Sequence, residues 1–140
     1  MRLTAIRPLV LVPAVLLVAA CGGESSGSGS SGASEQESSD PAVALAEAGA
    51  TRKGLQQALA TYQAGDAAAA EDQVAETYLQ HFEKVEGALE AKDEELNERL
   101  EETINEDLRG QMKAKKPAAE VERTVKGVMA DLAEAEAALR

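Results

Sequence analysis

The chain is poor in the residue types that enzymes most often use for covalent catalysis. It has one cysteine, one histidine and no tryptophan in 140 residues, and positions 40–140 contain neither serine nor cysteine. A nucleophilic mechanism in that region therefore lacks the thiol or serine hydroxyl that a neighbouring base usually activates. Pairs of carboxylates remain available for acid–base chemistry, but no spacing singles one out. We expect no enzymatic activity.

Aromatic residues and long apolar runs are also scarce. Two tyrosines and one phenylalanine are the only aromatic residues, so a folded core has little aromatic area to bury. The apolar stretch Leu9–Ala20 is interrupted by Pro13 and is shorter than the roughly 20 residues that a membrane-spanning helix needs. We interpret it as the apolar part of a secretion signal, preceded by the basic residues Arg2 and Arg7.

The only cysteine comes directly after this apolar stretch. Val18, Ala19, Ala20 and Cys21 resemble the bacterial lipobox, in which small residues admit a lipoprotein signal peptidase and the thiol accepts a diacylglycerol group. The resemblance implies that residues 1–20 are removed and that Cys21 anchors the chain to membrane lipid. The alternative is an ordinary signal peptide followed by a chance cysteine. A lone cysteine cannot form an intramolecular disulfide in either case.

Residues 21–39 have the composition of a flexible tether. Five glycines and many serines follow Cys21, without any large apolar residue, so the segment cannot bury enough surface to offset the entropy of ordering it. Coil statistics give the stretch from Gly22 to Ser39 a reach of about 20 to 25 Å. The predicted domains are therefore a signal (1–20), a lipidated tether (21–39) and a folded part (40–140).

Charge argues against a nucleic-acid partner. The chain has 25 acidic and 14 basic side chains, a net charge of −11, whereas phosphate contacts need a basic surface. The charge is also uneven, because the stretch from Glu83 to Asp107 holds eleven acidic and three basic residues, and the stretch from Arg109 to Lys126 holds six basic and two acidic ones. We expect an acidic end and a basic end.

The folded part is predicted to be all-α. Its main residue types are strong helix formers, and no segment alternates as a strand does. Caps and prolines mark the boundaries of helices at four places, namely Asp40–Pro41, Gly65–Asp66, Lys92–Asp93 and Lys116–Pro117. The predicted helices are Pro41–Ala64, Asp66–Ala91, Asp93–Lys113 and Ala118–Arg140.

Each predicted helix carries an apolar stripe. In the first helix the stripe is Leu55, Leu59 and Tyr62, while Gly49 and Gly54 weaken the opening half, where we expect fraying or a kink. The stripe of the second helix falls within an arc of about 80° and consists of Val74, Tyr78, Phe82, Val85 and Leu89. The fourth helix alternates steps of four and three residues, as a coiled-coil seam does, through Val121, Val125, Val128, Leu132, Ala135 and Leu139.

The third helix has an unusual stripe. Its apolar residues keep a strict spacing of four, through Leu96, Leu100, Ile104 and Leu108. That spacing walks about 40° around an α-helix at each step, so we expect the helix to cross its neighbours at an angle or to use Thr103 as a filler. Short connections between the four helices predict an antiparallel up-down bundle, with a thin core and modest stability.

Acidic residues next to the stripe of the second helix are candidate metal ligands. Glu83 and Glu86 share one helical face, and Glu90 follows one turn later. Carboxylates at this spacing can converge on a hard cation such as Fe³⁺, Ca²⁺ or Mn²⁺. The alternative is a solvated face with Glu–Lys pairs, each contributing about 0.3 to 0.5 kcal/mol. His81 lies at the edge of the stripe and is either a packing residue or a neutral imidazole ligand.

A wider pattern begins at Tyr78 and continues towards Leu139. Its members are Tyr78, Phe82, Glu83, Glu86, Leu89, Asp93, Leu96 and Glu101, preceded by the turn sequence from Tyr62 to Gly65 and Asp66. This pattern resembles the extracytoplasmic helical domain of bacterial high-affinity iron permeases. The permeases conduct iron through membrane helices that carry an Arg-Glu-x-x-Glu motif, and the chain has neither.

The resemblance implies a stand-alone version of that external domain, anchored by lipid outside the cytoplasm. Such a protein would capture iron or another cation for a multi-span permease, with Glu83, Glu86, Glu101 and His81 near the metal. The second hypothesis is a structural or partner-binding helical lipoprotein of the cell envelope with no metal role. It would use the apolar seam of the fourth helix, or the acidic stretch from Glu83 to Asp107, here called the acidic hairpin, as its contact surface.

Overall fold

The computed structural model describes residues 40–140, so the predicted signal, Cys21 and the tether lie outside the described residues. The described part is all-helical and forms four helices, as predicted. The first helix is Pro41–Gln63, the second covers residues 67–90, the third covers residues 94–113, and the fourth is Ala118–Ala138. Each observed boundary lies within two residues of the predicted one, because the capping residues fix where the helices begin.

Aspartates cap three of the four helices. The side chains of Asp40, Asp66 and Asp93 each accept a hydrogen bond from a backbone N–H two or three residues later, at 2.9 to 3.0 Å. Each bond satisfies one of the N–H groups that the first turn of a helix leaves unpaired. The first helix runs without interruption from its cap to Gln63, so the expected fraying of its opening half is not seen.

Two helices contain a π-helical segment, in which each N–H bonds to the carbonyl five residues back. The segments are Tyr78–Phe82 in the second helix and Glu102–Leu108 in the third. Each coincides with a run of buried residues spaced by four. On an α-helix, residues spaced by four shift about 40° around the axis at each step. The wider π turn has more residues per turn, so it reduces this shift and keeps the run on one face. The runs are Ala70, Val74, Tyr78 and Phe82 in the second helix, and Leu96, Leu100, Ile104, Leu108 and Met112 in the third.

The π segment therefore replaces the expected use of Thr103 as a filler. Thr103 is only half-buried and lies outside the core, whereas the five apolar residues of the third-helix run are all buried. The fourth helix, with alternating steps of four and three, needs no such correction and is α-helical throughout. Its predicted seam from Val121 to Leu139 is buried at all six positions.

The first helix meets the core mainly through small side chains. Its buried residues are Ala44, Ala48, Thr51, Leu55, Ala58 and Tyr62. Small residues let two helices approach closely, and at Gly54 a Cβ atom would overlap the side chain of Thr77 on the second helix. The first helix packs against the second and the fourth, and the third also packs against these two.

Two connections end their helices in the same way. At the end of the first helix, Gly65 has a positive φ of 99°, and at the end of the third helix Lys115 has a φ of 51°. In each case the next N–H reaches back to a carbonyl five residues earlier, at 3.2 and 3.0 Å, which is the Schellman arrangement. Among residues 40–140, no helix has the length and apolar character to cross a membrane.

Candidate acidic site between the second and third helices

The candidate site lies where a polar row of the third helix faces the second helix. Asn97, Glu101, Asn105 and Arg109 follow one another at intervals of four residues along this row. Arg109 fixes its direction, because its guanidinium Nε donates to the carboxylate of Glu71 on the second helix at 2.7 Å. The row therefore meets the second helix at Arg109, whereas Glu101 is exposed and lines an open groove of the third helix.

Glu71 is held in its charged form at this interface. Burial alone would raise the pKa of Glu71, but hydrogen bonds from Arg109 and Lys113 outweigh burial and leave the pKa below its ordinary value. The Nζ of Lys113 lies 3.2 Å from the Glu71 carboxylate. Arg109 is further oriented by the side-chain oxygen of Asn105, which accepts from it at 2.7 Å. The basic side chains of Arg109 and Lys113 thus join the end of the third helix to the start of the second.

Tyr78 contacts one of the four predicted metal ligands. Its hydroxyl donates to the carboxylate of Glu86 at 2.7 Å. Burial, then the hydrogen bond to Glu86 and the charges of Glu86, Glu101 and Glu83, raise the pKa of Tyr78 well above its ordinary value. Tyr78 therefore stays protonated at neutral pH and donates its proton to a carboxylate. The ring is 8% exposed and packs 5.6 Å from the ring of Phe82.

His81 is turned towards a different neighbour. Its Nδ1 lies 2.7 Å from the carboxylate of Glu47 on the first helix, and Lys84 lies 3.4 Å from the same carboxylate. Burial would raise the pKa of Glu47, but the contacts with His81 and Lys84 outweigh it and lower the pKa. His81 thus joins the first helix to the second, whereas Glu86 contacts Tyr78.

Asn97 is a member of the row that sequence reasoning missed. Its side chain is 7% exposed, and its Oδ1 has no hydrogen-bond partner. A buried acceptor without a donor costs free energy, typically about 1 to 3 kcal/mol. Asparagine is usually found at the surface, and the position of Asn97 directly after the core residue Leu96 is the one sequence signal of its burial. Spacing alone does not show which neighbouring helix covers it.

In the described part of the chain, no three His, Cys, Asp or Glu side chains form a group that could hold a metal ion. Carboxylates also line an open groove on the third helix beside the row, formed by Glu98, Glu101, Glu102, Asn105 and Glu106. The metal site at Glu83, Glu86, Glu101 and His81 remains a prediction: Glu86 contacts Tyr78, and His81 contacts Glu47.

Comparison with known proteins adds no relative. No protein family, curated protein or solved structure matches the chain. What the protein does has to be argued from its own residues.

Proposed function

We propose that the protein is a lipid-anchored lipoprotein of the bacterial cell envelope whose helical domain captures iron or another hard cation for uptake. The observation that best supports this is the hydrogen bond from the buried hydroxyl of Tyr78 to Glu86, together with the charges of Glu101 and Glu83, which also raise the pKa of Tyr78. Carboxylates in this position repel one another, and a bound cation offsets that repulsion. Oxygen donors of this kind are the ligands that hard cations prefer.

In this proposal the four predicted residues divide into two roles. Glu83, Glu86 and Glu101 bind the cation, which is cargo rather than a resident cofactor. His81, through its contact with Glu47 at 2.7 Å, positions the first helix on the second. The hydroxyl of Tyr78 donates to Glu86 and holds its carboxylate in place.

Cation capture can be tested by equilibrium binding of Fe²⁺ and Fe³⁺ to the full-length protein in detergent. The double substitution Glu83→Gln with Glu86→Gln is expected to weaken binding at least tenfold, which corresponds to about 1.4 kcal/mol. A matched control, Glu94→Gln with Glu95→Gln, removes the same charge from the same acidic hairpin and should leave the affinity nearly unchanged. Equal affinity of the first double variant and the wild type would remove Glu83 and Glu86 from the site.

The anchor is proposed from the lipobox-like residues before Cys21. The substitution Cys21→Ala is expected to move the protein from the membrane fraction to the soluble fraction and to abolish labelling with radioactive palmitate. Ser25→Ala, four residues into the predicted tether, is the control and should change neither. Persistence of the Cys21→Ala variant in the membrane fraction would show that lipidation does not anchor the chain.

The proposed partner is a multi-span metal permease in the same membrane, because the pattern from Tyr78 to Glu101 resembles the external domain of such permeases. A permease gene or an iron-oxidase gene next to the gene of this chain is expected. An unrelated gene neighbourhood would favour the second candidate.

The second candidate is a structural or partner-binding lipoprotein without a metal role. It is favoured by the lack, among residues 40–140, of a preformed group of three metal-binding side chains, and by the existing contact between His81 and Glu47. Sedimentation of the purified protein distinguishes the two. Self-association that does not respond to iron, without saturable metal binding, would support this candidate against the first.

We also infer that the four helices run up-down-up-down. Two contacts between the first and fourth helices support it. The hydroxyl of Tyr62, near the end of the first helix, donates to the carbonyl of Lys116, just before the fourth helix. Arg52, near the middle of the first helix, lies 2.8 Å from Glu136, near the end of the fourth. Spin-label distances between exposed positions on these helices test the inference, and a parallel pair of neighbours would contradict it.

A further inference from the structure

We propose that a groove between the first and second helices binds a small zwitterion, a free amino acid or a dipeptide, with Lys53 holding the carboxylate of the ligand and Glu76 its ammonium group. The side chains of Gln57, Gln73 and Gln80 also line this groove, which is called the glutamine groove below. The inference goes beyond cation capture, because the groove contains none of the carboxylates assigned to the cation.

One face of each helix builds the glutamine groove. On the first helix, Lys53 and Gln57 lie four residues apart. On the second helix, the same spacing separates Gln73 from Thr77, and residues four apart share one face of an α-helix. The two faces meet at Gly54, where a Cβ atom would overlap the side chain of Thr77. The floor of the groove therefore carries no side chain at Gly54, and longer polar side chains form its two walls.

The volume of the glutamine groove suits a small molecule. It encloses about 390 Å³, within the range of about 300 to 1,000 Å³ that is usual for sites of small ligands. Most such sites are lined mainly by apolar side chains, whereas the walls of this groove carry amides and two opposite charges. The ligand that fits it is therefore polar and has little apolar surface.

The two charges lie on opposite walls. Within residues 40–140, the ammonium group of Lys53 forms no ion pair or hydrogen bond. Glu76 accepts a hydrogen bond from Nε2 of Gln80 at 2.8 Å, and no basic side chain of the described residues pairs with it. A zwitterion brings one charge for each wall, so it forms a charge-assisted hydrogen bond at both ends at once. A ligand with a single charge would leave one wall unpaired.

Gln73 adds an unsatisfied acceptor to the groove. Its side chain is half-buried and lines the groove, and its Oε1 is buried without a hydrogen-bond partner. An acceptor that has lost its water and gained no donor costs free energy. A glutamine amide carries both donors and an acceptor, which match the N–H and C=O of a peptide unit. An N–H group of the ligand would thus satisfy an oxygen that the protein itself leaves unpaired.

Binding can be measured by nuclear magnetic resonance on ¹⁵N-labelled full-length protein in detergent. The probes are L-alanine and L-alanyl-L-alanine. We expect either one or both to shift the backbone amide of Gly54 saturably, and the tighter of the two gives the length of the ligand. Gly110 and Gly127, on the third and fourth helices, are the controls and should not shift. Absence of any shift at Gly54 with both probes would overturn the inference.

The roles of the two charges can be tested with probes that each lack one end. Lys53→Gln should weaken binding of L-alanyl-L-alanine about tenfold, but should leave the affinity for L-alanyl-L-alanine amide, which has no carboxylate, within about twofold of the wild-type value. Glu76→Gln should show the same pattern with N-acetyl-L-alanyl-L-alanine, which has no ammonium group. Equal weakening of the whole and the truncated dipeptide in both variants would show that these side chains do not hold the ends of the ligand.

Lys126→Gln is the matched control for the loss of a lysine charge. Lys126 lies on the fourth helix and already pairs with Glu122 at 2.7 Å, so its loss should leave the affinity for L-alanyl-L-alanine unchanged. Both Lys53 and Glu76 are exposed, and their variants should keep the helical circular dichroism of the wild type. A tenfold loss of affinity in Lys126→Gln would mean that net charge, and not the groove, controls binding.

Gln73→Leu separates a ligand contact from a structural role. We expect it to raise the midpoint of urea unfolding without ligand, because an unpaired buried oxygen is removed. It should also reduce the rise in midpoint that L-alanyl-L-alanine gives the wild type. A lower midpoint with full affinity for the dipeptide would assign Gln73 a structural role and remove it from the site.

Discussion

At the scale of single residues, Gly54 is the position where the close packing of the first two helices is most sensitive to change. A Cβ at this position would overlap the side chain of Thr77. Gly54→Ala is therefore expected to lower the free energy of unfolding by about 1 to 3 kcal/mol, as overpacked interiors do, although alanine has the higher helix propensity. Urea unfolding followed by circular dichroism measures the change.

Gly49 provides the matched control on the same helix. No atom lies within 4 Å of the place where its Cβ would be, so Gly49→Ala should stabilise the protein by about 0.5 to 1 kcal/mol through helix propensity alone. Opposite signs for the two variants would confirm the close approach. A stabilising Gly54→Ala would show that the helices can separate there without cost.

A second residue-scale prediction concerns Lys115, whose positive φ of 51° is a left-handed conformation that costs a side-chain-bearing residue about 1 kcal/mol or more. Lys115→Gly should stabilise the protein by about 1 kcal/mol in thermal unfolding. The equivalent residue at the end of the first helix is already glycine, so Gly65→Ala should destabilise by a similar amount. A neutral Lys115→Gly would mean that the lysine side chain contributes as much as its backbone conformation costs.

Individual side-chain contacts were the least predictable part of the molecule. The sequence placed Glu83 and Glu86 on one face, but the contact between His81 and Glu47 joins residues 34 positions apart. Nothing in a single sequence says which carboxylate on another helix a histidine will meet. The sequence does not predict the burial of Asn97 for the same reason. Whether a polar residue beside a core position is buried depends on the side chains of the helix that packs against it.

At the scale of helices, Glu71 joins the second helix to the third and makes their packing dependent on pH. Its pKa lies below the ordinary value of 4.5, so the folded state favours the charged form. The contribution of Glu71 is then fully present above about pH 4.5 and is lost as the pH falls through the lowered pKa of the folded state.

Glu71→Gln should therefore destabilise the protein by about 1 to 2 kcal/mol at pH 7, because charge-assisted hydrogen bonds from Arg109 and Lys113 are lost. It should also make the decline of stability below pH 4.5 shallower. Unfolding by urea at a series of pH values between 7 and 3 measures both effects. Parallel curves for wild type and variant would show that Glu71 does not contribute to acid unfolding.

The helices themselves could be predicted closely, whereas the π segments could not. The capping residues Asp40, Asp66 and Asp93 indicate in the sequence where the first three helices begin. The strict spacing of four in the third helix conflicts with α-helical geometry. A crossing angle, a filler residue or a wider turn can each resolve that conflict. Which one occurs depends on packing against the neighbouring helices.

At the scale of the whole molecule, the net charge of −11 implies self-repulsion that salt can screen. Raising sodium chloride from low to moderate concentration should increase the thermal midpoint by about 4 to 8 °C for each kcal/mol of repulsion removed, as for other domains of this size. Glu94→Gln with Glu95→Gln, in the acidic hairpin, should reduce this dependence. A salt-independent midpoint would show that the acidic residues are too far apart or too well paired to repel strongly.

The all-α class followed directly from composition, but the function did not. Carboxylate-rich helices serve cation binding and plain solubility equally well, and the lipobox-like residues before Cys21 say where a protein is held rather than what it does. The distinction depends on whether carboxylates from two helices converge on a cation, which a single sequence does not show.

The small side chains of the first helix have a consequence for partial unfolding. Ala44, Ala48 and Ala58 bury little apolar area each, so detaching this helix costs less than separating the other three, whose buried side chains are mostly larger. Amide hydrogen exchange should accordingly be fastest in the first helix. If Cys21 anchors the chain, any pull on the anchor is transmitted first to this helix, which would peel away before the remaining bundle opens.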